Sequence, residues 1–187
     1  MSRVAARCPF GYPAAVEDLP YGRDGRPFPT VYYLTCPTLV AGVSALESDA
    51  GVRMWARRAA ADDRLAGSLA KAAAQSRRRR RELARRYALP MLDGGASLRS
   101  GVGGVSVGGR SAADRSGIGA IKCLHAHVAH ALACPSYDLG AAMLAEVAAP
   151  WCDARRCAAI VPAYGLPAES VPPAADSASV PAAGDPS

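Results

Sequence analysis

Apolar positions change period along this chain, and each change marks an element. Thr30-Val31-Tyr32-Tyr33-Leu34-Thr35 is β-branched and aromatic and predicts a strand. Pro37 suits a first helical position, where its missing N–H costs nothing. Leu39, Val40, Val43 and Leu46 follow at three- and four-residue spacing, which predicts a helix ending near Asp49-Ala50-Gly51. A second helix is expected over 52–60. A third, capped by Asp62 or Asp63, should run to about Leu89, where Pro90 stops it. Its apolar stripe is Leu65, Leu69, Ala72 or Ala73, Ser76, Leu83 and Tyr87. Two more helices are expected, over 120–133 and 137–149, the last ended by Pro150.

The segments between are punctuated by proline and glycine. Cys8 to Tyr21 reads as an irregular lead-in with a short helical turn at 14–18, and Gly22-Arg23-Asp24-Gly25-Arg26 as a turn. Asp93 to Gly119 carries nine glycines and few bulky groups, so a long flexible loop is expected there. Pro162 to Ser187 has six prolines and no basic residue, the composition of a disordered tail. The pattern therefore predicts a mainly α fold with a small β element. It forms a single compact helical domain over 1–160, interrupted by the Gly-rich loop 93–119 and followed by an Ala/Pro/Ser-rich tail over 161–187. A domain of about 150 residues buries roughly 70% of its unfolded surface and needs no disulfide to fold.

Charge sharpens this picture in one place. The chain of 187 residues has a net charge of +6, yet between Arg53 and Arg86 twelve basic residues face three acidic ones. The basic helix over 53–88 is thus the candidate surface for an acidic protein or nucleic acid, with Arg77, Arg78, Arg79, Arg80, Arg81, Arg85 and Arg86 as contacts. Five consecutive arginines wrap every face of a helix and cannot all be buried. Only Tyr87 offers a stacking ring nearby, and no known nucleic-acid motif accompanies the run. Pro27 to Leu46 is free of charge, but three prolines break it, so no membrane insertion is expected. The N-terminus lacks the apolar run of a secretory signal, and a cytoplasmic protein with reduced thiols is expected.

Candidate chemistry lies in scattered soft donors. Cys8, Cys36, Cys123, His125, His127, Cys152 and Cys157 are candidate metal ligands, for zinc or an iron–sulfur cluster. If 123–130 is helical, Cys123, His127 and His130 share one stripe while His125 points away; if extended, Cys123, His125 and His127 share a face. There are no paired Cys-x-x-Cys knuckles. Two other readings stay open. The thiols and imidazoles can simply pack in a core, His130 and Cys134 most readily. Alternatively Cys123 is a nucleophile, with His125 or His127 as base and Lys122 lowering its pKa, which would make the chain a thiol enzyme. Gly117-Ile118-Gly119 before Lys122 hints at an anion-binding loop but matches neither the dinucleotide nor the Walker pattern. Nothing here decides whether the chain is an enzyme.

Four stretches together carry a resemblance. Arg7-Cys8-Pro9-Phe10-Gly11-Tyr12-Pro13, Gly25 through Pro37, Ile121-Lys122-Cys123-Leu124-His125-Ala126-His127, and Trp151-Cys152 with Cys157 resemble the actinobacterial family called domain of unknown function 501. The resemblance covers roughly 3–158 and leaves the Gly-rich loop and the tail outside it. It implies a cytoplasmic role in a high-GC Gram-positive bacterium. It implies no reaction, because the family carries none.

Overall fold

The computed structural model describes residues 3–28, 30–48, 50–102 and 121–159. The expected tail, the greater part of the Gly-rich loop and the Gly117–Gly119 motif lie outside these residues.

The chain begins with a three-stranded antiparallel sheet in the order β1 (Arg3–Arg7), β2 (Pro13–Glu17), β3 (Tyr32–Leu34). The helical turn expected at 14–18 is therefore a strand. Its cause is the tight turn before it, Cys8-Pro9-Phe10-Gly11, with proline at the second position and Gly11 at φ 81°. The Gly11 N–H donates to the Cys8 carbonyl and the Cys8 N–H to the Tyr12 carbonyl, both at 2.8 Å. Strand β3 falls inside the predicted 30–35 segment, pairing Ala15 with Leu34 and Glu17 with Tyr32.

Cys36 caps α1 (Pro37–Glu47), with Pro37 opening the helix as expected and Leu39 and Val43 buried one turn apart. Helix α2 (Gly51–Ala61) buries Trp55 and Ala59. Asp62 caps α3 (Asp63–Arg86) by accepting from the N–H groups of Arg64 and Leu65 at 2.8 and 3.1 Å. A short 3-10 helix, Ala96–Arg99, precedes α4 (Leu124–Ala133) and α5 (Asp138–Ala145). Helix α4 is central: it packs on the sheet, on α1 and on α5, while α3 packs on α2 and α5. A mainly α fold with a small antiparallel sheet results. No helix among the described residues is long and apolar enough to cross a membrane.

The start of the predicted loop is organised. Asp93 accepts from the Tyr21 hydroxyl and from the N–H groups of Gly95 and Ser97, at 2.7 to 2.9 Å. Burial works to raise its carboxyl, but these donors outweigh it and hold the group down at about 2.

The arginine run is divided by the helix period. Arg80 lies one turn after Ser76 and one before Leu83, on the buried stripe, and is 0% exposed. Both of its terminal nitrogens donate to the Phe28 carbonyl at 3.1 Å. Arg79 forks onto Glu17 at 2.5 and 2.7 Å and so ties α3 to the sheet. These two arginines serve the fold; Arg78, Arg81, Arg85 and Arg86 are exposed and Arg77 is half-buried. Tyr87, expected on the apolar stripe, is instead 45% exposed, because α3 ends at Arg86.

Candidate functional site

The seven predicted ligands do not meet at one point. They fall in three places, set by α1 and α4.

The first place is the C-terminal end of α1. Glu47 is its last residue, and the Glu47 carboxylate accepts the N–H of Leu124, the first residue of α4. That bond draws the start of α4 against α1. Cys123 takes the extended cap position of α4, φ −152° and ψ 120°, so its side chain is not part of the helical stripe. The side chain that meets it is therefore His125, with the Cys123 Sγ 3.7 Å from Nδ1. His125 Nδ1 also lies 3.3 Å from the Glu47 carboxylate. Its Nε2 lies 3.2 Å from the Val40 carbonyl and 3.1 Å from the Ser44 hydroxyl. A carbonyl only accepts, so Nε2 carries a proton, while Nδ1 faces both the Cys123 thiol and the Glu47 carboxylate. One donor atom each from Glu47, Cys123 and His125 lie within 4.8 Å of one another. Sequence reasoning missed Glu47, which is 76 residues from Cys123 and bears no motif; its only signal was a carboxylate ending a predicted helix.

The electrostatics of this group are unequal. Burial would raise the Glu47 carboxyl, but the Leu124 N–H, with Cys123 and His125, holds it below its ordinary value. The Cys123 thiol moves the other way. Burial pushes it up and the Glu47 carboxylate adds to that, against the N–H groups of the first turn of α4. A thiol kept protonated is the reverse of an activated nucleophile. Beside the group opens a cavity of about 390 Å³, lined by Tyr32, Tyr33, Leu34 and Val40 with Cys123 and His125.

The second place is the opposite end of α1. Cys36, at its N-cap, lines a cavity of about 250 Å³ together with Cys8 from the β1–β2 turn and Cys152 and Cys157 from the segment after α5. Burial raises the Cys157 thiol, and the nearby thiols of Cys36, Cys8 and Cys152 raise it further.

His127 occupies the third place, alone among the predicted ligands. It faces the core, 0% exposed, with Nδ1 2.5 Å from the Tyr137 hydroxyl, and burial pushes it down to about 3. His130, one turn on, sits edge-on to Tyr32 and Tyr137 and is held down to about 4 by burial.

Fold and donors together define a small, mainly α protein in which one helix carries a soft donor group at each end. The chain belongs to the family described as protein of unknown function (DUF501), whose model matches residues 4–145. The match contains Cys8, Cys36, Glu47, Cys123 and His125 and stops short of Cys152 and Cys157. No curated protein and no solved structure matches the chain.

Proposed function

We propose that this chain is a metal-binding protein that holds a single zinc ion through Glu47, Cys123 and His125. The observation that carries the reading is the convergence of a carboxylate, a thiol and an imidazole within 4.8 Å. Zinc accepts oxygen, sulfur and nitrogen ligands together. The outward nitrogen of His125 supports it further, since metal-bound histidines usually donate their other N–H to a carbonyl or carboxylate, and here Val40 supplies one. Three protein ligands leave a fourth position for water, as in catalytic rather than structural zinc sites. Water held there, beside a cavity with tyrosine and aliphatic walls, would suit hydrolysis of a partly apolar substrate. Thiolate ligands require a reducing setting, so a cytoplasmic location belongs to the same proposal.

One observation favours a plainer role. The Glu47 carboxylate already accepts the Leu124 N–H, and a cap on α4 is sufficient reason for its position. Equilibrium dialysis of the purified chain against zinc separates the two readings. The metal reading expects one ion lost on His125→Ala and retained on His127→Gln. If the wild-type chain and His125→Ala take up equal zinc, the plainer role stands.

A further inference from the structure

We propose that Cys8, Cys36, Cys152 and Cys157 hold an iron–sulfur cluster in the cavity that they line at the N-terminal end of α1. This centre is separate from the Glu47 group and does not rest on it.

Four cysteines from three remote parts of the chain share one cavity of about 250 Å³. No three of their sulfurs converge on one point. A tetrahedral zinc with Zn–S bonds near 2.3 Å brings its sulfurs to about 3.8 Å from one another. Among the described residues, the donors that come within 4.8 Å as a group of three are those of Glu47, Cys123 and His125, and no three of the four cysteines do so. Four cysteines that line one cavity without converging on a point leave room for an occupant of several atoms, each thiolate binding one of its irons.

Three further observations point the same way. Tyr12 lines the cavity and is 2% exposed, yet its hydroxyl has no hydrogen-bond partner among the described residues. A buried hydroxyl left this way is costly, and a thiolate or sulfide sulfur would accept its hydrogen bond. Helix α1, eleven residues long, aims its N-terminus at the site, since Cys36 is its cap. That end of a helix favours negative charge, and a four-thiolate cluster carries it. The guanidinium side chains of Arg155 and Arg156 complete the wall, adding positive charge where the four cysteines gather.

The chain as a whole is the object to test, purified anaerobically and reconstituted with ferric iron, sulfide and a thiol reductant. Iron and acid-labile sulfide should be found together, with broad visible absorption that dithionite bleaches. Cys152→Ala and Cys157→Ala, made separately, should each lose at least half of both. These two positions follow α5 and lie outside the buried core, and thermal unfolding by circular dichroism verifies that each variant folds. His125→Ala should keep the cluster in full, which makes failure of the zinc site distinguishable from failure here. Stoichiometric zinc without sulfide would overturn the proposal. So would full iron and sulfide in both cysteine variants, or no uptake of either by the folded wild-type chain.

Discussion

Glu17→Gln probes how far the arginine run is committed to the fold. Glu17 is 4% exposed at the end of β2 and receives two bonds from Arg79, at 2.5 and 2.7 Å, with a third from Arg3 at 3.2 Å. Arg3 is 68% exposed and contributes little; Arg79 is only 22% exposed. A hydrogen bond to a charged group contributes about 1.5–3 kcal/mol. Glutamine keeps one acceptor oxygen, so one such bond is lost and the other weakened, while water recovers part of the Arg79 solvation. The expected loss is about 2 kcal/mol, or a fall in Tm of about 4–8 °C for a chain of this size. Urea unfolding of Glu17→Gln, Arg79→Met and the double variant should show a coupling of about 1–2 kcal/mol. Moderate salt should leave most of it, because a buried pair is weakly screened. Burial works to raise the Glu17 carboxyl, but Arg79 and then Arg3 outweigh it and hold it below 4.5. The pair's stabilisation is therefore complete above about pH 4.5 and is lost as pH falls through the lower folded value. Additive single variants, or a Glu17→Gln loss under about 0.5 kcal/mol, would refute this account of Arg79.

Other expectations follow from the same packing. Charge reversal at Arg78, Arg81 and Arg85 should leave urea stability within about 0.5 kcal/mol of wild type, whereas Arg80→Ala should cost about 3 kcal/mol by vacating a fully buried site. Equal losses in the two would show that exposure does not divide the run. Gly140→Ala should cost about 2 kcal/mol, since its methyl group would lie 2.6 Å from the His127 carbonyl and 2.8 Å from the Ala131 methyl. A neutral result there would mean that α4 and α5 part freely. His130 titrates at about 4 when folded against an ordinary 6.5, so the unfolded chain takes up a proton first as pH falls. Its contribution is present above 6.5 and declines by about 1 kcal/mol between pH 7 and pH 5.5. The pH slope of urea stability should flatten by that amount in His130→Gln, and an unchanged slope would mean that the imidazole charges in place.

Much of the helical frame was legible because its signals are local. Pro37 at the first helical position, Asp62 at a cap and the Leu65–Leu69–Ala72 stripe each act within one or two turns. Strand β2 was not legible, since Pro13-Ala14-Ala15-Val16-Glu17 has weak strand propensity and owes its state to the Cys8–Gly11 turn and to β3. Arg80 was hidden for a similar reason: composition marks it as surface, and only the Phe28 carbonyl, 52 residues away, makes its burial tolerable. For the site, residue type pointed to Cys123 and His125, but helical spacing paired the wrong partners because Cys123 caps α4 instead of joining it. Glu47 could not have been found without the contact between α1 and α4.

The polarity of α1 gives a physical reason for the two donor groups to differ. Its N-terminal end, where Cys36 sits, favours negative charge, and the other three thiols gather there with two arginines. Its C-terminal end favours a cation, and Glu47 adds a carboxylate at that end. An anionic side chain at a helix C-terminus would ordinarily be disfavoured, yet Glu47 is offset by the positive start of α4 through the Leu124 N–H. The eleven residues of α1 separate the two ends by about 16 Å, more than a Debye length in physiological salt. Were both proposed centres occupied, that separation would keep their electrostatic coupling weak, and loss of one metal should leave the occupancy of the other nearly unchanged.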